Sequence, residues 1–204
     1  MPEFAQLLQG YRRFKANAYP QQRARFDALA EGQAPPVMVI SCCDSRVDPA
    51  TIFDVEPGQV FALRNVANLV PPFEPGGGLH GASAAIEFAV RHLRVRHVVV
   101  MGHGRCGGIH ASLEGPGLSG YDFVDDWMRI LDRAKAEVLA AGPVDPQQAL
   151  EWAGIKCSLG NLMTFPFVAE RVARGELTLH GMWFAITAGQ LYVLDTETGE
   201  FGPA

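Results

Sequence analysis

A chain of 204 residues is long enough for one well-buried domain, and 48% hydrophobic with 19% charged residues is a core-forming composition rather than a disordered one. The net charge of −5 supplies no basic field for gripping nucleic acid, and no stretch approaches eighteen apolar residues, so no membrane span is expected. The N-terminus shows no basic start followed by a long apolar run, so no signal peptide is expected, and four cysteines, two of them adjacent, in a chain that needs no disulfide staple point to free thiols and a reducing, cytoplasmic compartment.

In chain order, Phe4, Leu7, Leu8, Tyr11 and Phe14, then Phe26 and Leu29 beyond Pro20, recur at helical spacing. Residues 1–30 therefore read as an arm of two helical pieces with a narrow apolar stripe, which must pack on the body of its own chain or on a partner subunit. Arg12, Arg13, Lys15, Arg23 and Arg25 lie in this arm and read as its solvated face, with a docking surface for a partner subunit or an anion as the alternative. After Pro35-Pro36, the continuous apolar run at 37–41 suits a buried parallel strand. Residues 59–64 and 97–101 predict two more strands. Between them, 81–93 is in helical register through Ala82, Ala85, Ile86, Ala89, Val90 and Leu93. Helices are predicted over 121–141, 146–163 and 166–174, and two strands, 177–186 and 191–195, join across Ala188-Gly189. The fold class is α/β: a single domain over 1–204 with a mainly parallel central sheet of four strands and an antiparallel edge strand, flanked by helices and preceded by the helical arm.

Two short runs follow predicted strands: Cys42-Cys43-Asp44-Ser45-Arg46 and His103-Gly104-Arg105-Cys106-Gly107. In extended backbone, Cys42, Asp44 and Arg46 share one side, with Cys43 and Ser45 on the other. Cys42 is then a ligand and Cys43 a small packing residue, although strand phase alone permits the reverse if the chain turns at once. Asp44 can complete a tetrahedral zinc, or it can pair with the Arg46 guanidinium and leave the fourth position to water. His103 and Cys106 have a common ligand spacing and follow a strand whose end belongs at the carboxyl edge of the sheet. Two thiolates, an imidazole and a carboxylate form a borderline-soft set suited to zinc. No Cys-x-x-Cys spacing is present to support thiol redox chemistry.

Both runs resemble the signatures of beta-class carbonic anhydrases, and the similarity extends through Arg64-Asn65-Val66-Ala67-Asn68 and Gly81-Ala82 to Glu87-Phe88-Ala89-Val90. The resemblance implies an enzyme, a carbonate dehydratase, that hydrates carbon dioxide reversibly to bicarbonate and a proton by a zinc-bound hydroxide. It implies zinc on Cys42, His103 and Cys106, with Asp44 as fourth ligand in a resting form and turned to Arg46 in the active form. It further implies that Gln33, nine residues before the first zinc cysteine, hydrogen-bonds substrate as in the plant-like type. Phe61, Val66 and Phe88, which by themselves read as core, would line the substrate pocket. Val39 and Phe184 stand where the bicarbonate-regulated type has tryptophan and tyrosine beside an arginine, leaving only Arg64, so the chain is closer to the plant-like type. Family members form homodimers or dimers of dimers with the N-terminal helices draped over the neighbour. His80 and His110 are candidates for proton transfer because imidazole titrates near neutrality. Two rivals are a carbonyl sulfide or carbon disulfide hydrolase of the same fold, and a non-catalytic protein whose zinc is closed by four protein ligands. Arg46 speaks against the second, since it gives Asp44 another partner.

Overall fold

The computed structural model describes residues 2–76, 78–114 and 121–204. The chain divides into two compact units, Met1–Ala34 and Pro35–Ala204.

In the first unit, α1 (Pro2–Arg13) runs through a widened turn, Phe14–Ala18, into the single turn α2 (Tyr19–Gln21), and α3 (Arg23–Ala30) follows. The break falls at Gln22 (φ −105°, ψ 10°) instead of at Pro20. Pro20 is accommodated because the preceding turn is π-helical, with the Tyr19 N–H reaching Phe14 O, so no hydrogen bond is demanded of the ring nitrogen. Phe14, Tyr19 and Phe26 cluster with ring centroids 5.3–6.0 Å apart. Phe4, Leu7, Leu8 and Tyr11 are exposed, and α1 buries no residue.

The second unit is a six-stranded sheet in the order β2-β1-β3-β4-β5-β6. Strands β1 (Val37–Cys42), β2 (Val60–Asn65), β3 (His97–His103) and β4 (Thr178–Ala185) are parallel, and β5 (Gln190–Leu194) and β6 (Phe201–Pro203) are antiparallel to their neighbours. The mainly parallel sheet is as expected from the apolar runs, and the β4–β5 hairpin closes through Gly189 at φ 62°. The sixth strand is an addition. Three residues ending in proline carry no strand signal, but an edge position tolerates a missing N–H.

Helices connect and cover the sheet: α4 (Pro49–Ile52), α5 (Gly81–Glu87) continued by a π turn to His92, α6 (Gly107–Leu113), α7 (Val124–Met128), α8 (Asp132–Ala141), α9 (Pro146–Leu162) and α10 (Pro166–Ala173). The single helix predicted over 121–141 is instead α7 and α8 joined by a 3₁₀ turn at Arg129–Leu131. That tighter turn brings Met128 and Leu131 into the core together. Met38, Ile40, Val98 and Val100 face one apolar cluster with Ile86, Ile155 and Phe165, while Val39, Val99 and Met101 face the opposite side. A third cluster, at the carboxyl ends of β1 and β3, contains Cys42 and Cys106 with Val47, Leu69, Ile109 and Leu131. Among the described residues, no helix is long and apolar enough to cross a membrane.

Candidate metal centre

The register decides where the two sequence runs meet. β1 and β3 pair in parallel with Ser41 opposite Met101, so Cys42, the last residue of β1, and His103, the last of β3, emerge at the same edge. Cys106 follows three residues later, at the start of α6. Two glycines permit the close approach: a Cβ on Gly102 would lie 2.8 Å from Ile155 Cδ1, and one on Gly104 would lie 3.2 Å from the Trp183 ring.

The ligand atoms of Cys42, His103 and Cys106 all lie within 4.8 Å of one another, and all three residues are buried. The two sulfurs are 4.0 Å apart. His103 Nδ1 lies 3.0 Å from Gly104 O, and since a carbonyl only accepts, Nδ1 carries the proton. Nε2 is thereby left with its lone pair exposed to the sulfurs, buried and without a hydrogen-bond partner. A buried acceptor of this kind is costly unless something occupies it, and a cation fits an imidazole nitrogen converging with two thiols. The S, S, N donor set is that of zinc. The hydrogen bond shared by the two sulfurs holds the Cys42 pKa down despite burial, with the His103 side chain and the N–H groups of Asp44 and Ala67 adding to the effect. The same bond, together with burial, drives the Cys106 thiol strongly upward. At His103, burial opposes the charged form, but the neighbouring Cys42 thiolate outweighs it and raises the pKa.

Asp44 is turned away from this trio. Oδ1 accepts from the Arg46 backbone N–H and from Nε, both at 2.9 Å, and Oδ2 accepts from Nη2 at 2.6 Å. This guanidinium holds the Asp44 carboxyl well below the usual carboxylate range. Oδ2 remains 3.9 Å from His103 Nε2, so the carboxylate borders the ligands while bonded to Arg46. Arg64 braces the same turn, donating to the carbonyl oxygens of Cys42 (3.0 Å), Asp44 (2.7 Å) and Val47 (3.2 Å).

Cys43 is exposed, which corrects its assignment as a packing residue. Its N–H extends the ladder to Asn65 O, but the chain then turns at Asp44, and among the described residues no element covers the outward side chain. Val66 packs beside the ligands and lies close to Gly108. It is held there by the 65–70 segment, in which Ala67 and Asn68 adopt positive φ while Trp127, Ser158 and Asn161 bond the backbone. The Phe61 and Phe88 rings lie against each other, tilted by 31° with centroids 5.8 Å apart, and Phe61 pairs with Met38, four positions along β1 from Cys42. Gln33 belongs to the first unit. His110 is exposed and faces Glu114 at 3.3 Å, and His80 is exposed just before α5.

One residue the sequence reading missed stands behind the ligands. Glu151 of α9 is 4% exposed, and its carboxylate accepts from the Cys106 N–H (3.0 Å), Trp183 Nε1 (3.0 Å) and Gln147 Nε2 (3.1 Å). Burial pushes its pKa up, against these donors.

Residues 37–191 match the family described as carbonic anhydrase. Over 187 residues the chain is 38% identical to beta carbonic anhydrase 5, chloroplastic, of Arabidopsis thaliana; the match covers 89% of this chain and 61% of that protein, so the chain spans about three fifths of the length of this curated relative. Among solved structures, the beta-carbonic anhydrase CcaA aligns with a TM-score of 0.91 at 29% identity, covering 100% of this chain and 93% of that one. A tetrameric beta-carbonic anhydrase of the filamentous ascomycete Sordaria macrospora gives 0.82 at 31% identity, covering 95% and 98%.

Proposed function

This chain belongs to the carbonic anhydrase family, in its beta class, and on that premise we propose that it catalyses the zinc-dependent, reversible hydration of carbon dioxide to bicarbonate and a proton. The observation that carries the proposal is the meeting of Cys42, His103 and Cys106 beside a carboxylate that Arg46 holds off them. Zinc, when bound, supplies Lewis acidity, which brings the pKa of water near neutrality and provides a nucleophile at physiological pH. The chain's own contribution is orientation. With both carboxylate oxygens fixed by Arg46, Asp44 offers its remaining lone pairs as a stationary acceptor at the mouth of the site. In a resting form Asp44 would serve as fourth ligand.

We assign Val66, Phe61, Phe88 and Gln33 to the substrate pocket. Phe61 stands back from the ligands along β2, with Phe88 of the turn after α5 against it, which favours a cleft completed between subunits in a homodimer or dimer of dimers. The exposed apolar side chains of α1 favour the same assembly, since they need a covering surface. Val39 and Phe184 in place of tryptophan and tyrosine favour the plant-like type over the bicarbonate-regulated one. Thiol ligands favour a reducing compartment, the cytoplasm. The engagement of Asp44 with Arg46 weighs against a permanently closed structural zinc.

Stopped-flow hydration assays with metal analysis, repeated across pH, test the proposal. Activity should require zinc and rise with pH. Zinc-loaded protein no faster than zinc-free protein, or a preference for carbonyl sulfide in side-by-side rates, would overturn it.

A further inference from the structure

The peptide group joining Arg105 to Cys106 is gripped at both ends. Its oxygen accepts from Arg46 Nη2 at 2.9 Å, and its N–H donates to Glu151 Oε1 at 3.0 Å. Arg105 sits at φ 57°, a conformation that a side-chain-bearing residue keeps only where its surroundings impose it. Arg46 Nη2 has two hydrogens, and the other goes to Asp44 Oδ2. A continuous chain of contacts therefore runs from Glu151 through one peptide group and one guanidinium nitrogen to Asp44. Glu151 is itself held rigidly, by Trp183 Nε1 on Oε2 and by Gln147 Nε2 on Oε1, and Trp183 lies against Gly104.

We propose that Glu151 is a positioning residue: by fixing the Arg105–Cys106 peptide it fixes the acceptor on which Arg46 rests, and so keeps Arg46 on Asp44 and the fourth position at the metal open. This role rests on the hydratase reading above, and it adds a residue from α9 that touches neither substrate nor metal. Glutamine in place of Glu151 keeps the shape but cannot serve both main donors. If its oxygen accepts from Cys106, its amide nitrogen confronts the Trp183 N–H, and the reverse orientation abandons Cys106. Released from one side, the peptide can leave its strained conformation, Arg46 loses an anchor, and Asp44 is free to close on the metal.

Cobalt(II) exchanged for zinc reports the ligand set in its visible spectrum, and thiocyanate, which needs an open position, reads the fourth site directly. In Glu151→Gln with one metal per chain, the thiocyanate-induced change should require about tenfold more anion, and kcat should fall about tenfold with KM little changed. Trp183→Phe, which loosens Glu151 but leaves its bond to Cys106, should shift both in the same direction by less. A Glu151→Gln protein matching the wild type in both readouts overturns the proposal. So does one that loses metal or fails to fold while Trp183→Phe behaves as wild type, because Glu151 then serves the fold alone. If Glu151→Gln fails to fold and Trp183→Phe shows the weakened thiocyanate response, the proposal stands. A wild-type protein that is inert toward carbon dioxide removes the hydratase reading and this role with it, whereas failure confined to the variants removes only the role of Glu151.

Discussion

Asp44 and Arg46 are joined by three hydrogen bonds across a single intervening residue, two on Oδ1 and one on Oδ2. The backbone bond closes a local turn at the end of β1, and the two guanidinium bonds make the forked contact that a planar cation gives a carboxylate. The pair is thus both the turn that ends the strand and the device that sets the direction of the carboxylate.

Removing the fork should cost activity without costing metal. Arg46→Ala is expected to lower carbon dioxide hydration by about 10–100-fold, the usual effect of losing a partner that orients a group at a metal site. Zinc should remain at one per chain, because Cys42, His103 and Cys106 are untouched. Lysine at position 46 should rescue poorly, since an ammonium cannot occupy both oxygens in one plane. Stopped-flow rates beside metal analysis check both.

Acid should erase a stability difference between the wild type and Asp44→Asn. The folded-state pKa of Asp44 is depressed, first by the Arg46 side chain, so its stabilising contribution is present above the unfolded value of about 4 and is lost as pH falls toward the lower folded value. Wild type should melt at higher temperature than Asp44→Asn near pH 7, and the gap should close below about pH 4. Thermal midpoints between pH 3 and 8 measure it.

Loading the metal-free protein with zinc should release protons at neutral pH. The hydrogen bond shared by the two sulfurs lowers the pKa of Cys42 and raises that of Cys106, so the pair retains one proton between them. That proton must leave before both sulfurs can bind the metal. The raised pKa of His103 adds a second proton as the medium becomes more acidic, so zinc affinity should climb with pH. Calorimetric titration in buffers of different ionisation enthalpy counts the protons.

Gly102 should tolerate no side chain. An added Cβ would lie 2.8 Å from Ile155 Cδ1 and 3.0 Å from its Cγ1, so Gly102→Ala is expected to destabilise by about 1–3 kcal/mol. Ile155→Val removes the nearer atom and should recover part of that loss in the double variant, so the two changes should be non-additive. Urea denaturation of the four proteins in the cycle gives the coupling.

The parallel sheet was legible because β1 and β3 are buried on both faces and read as unbroken apolar runs. The metal ligands were legible because each run directly follows such a strand, so parallel pairing was enough to bring them together. Cys43 was misplaced because alternation describes an extended chain, and the Asp44 turn ends the extension one residue later. Glu151 did leave a signal: it sits in helical register with the buried stripe of Ile155, Ser158 and Leu162, an acid where an apolar residue belongs. Its three donors come from residues 106, 147 and 183, however, and only the folded chain shows that they converge.

The thiols of Cys42 and Cys106 are 64 positions apart in the chain. A growing polypeptide must therefore emerge beyond residue 106, and close the loop that sets β3 against β1, before any metal can be gripped by all three ligands. Full three-ligand coordination in this sense follows the pairing of β1 with β3. Capture of the ion would report completion of the long-range pairing at the centre of the sheet, rather than nucleate it.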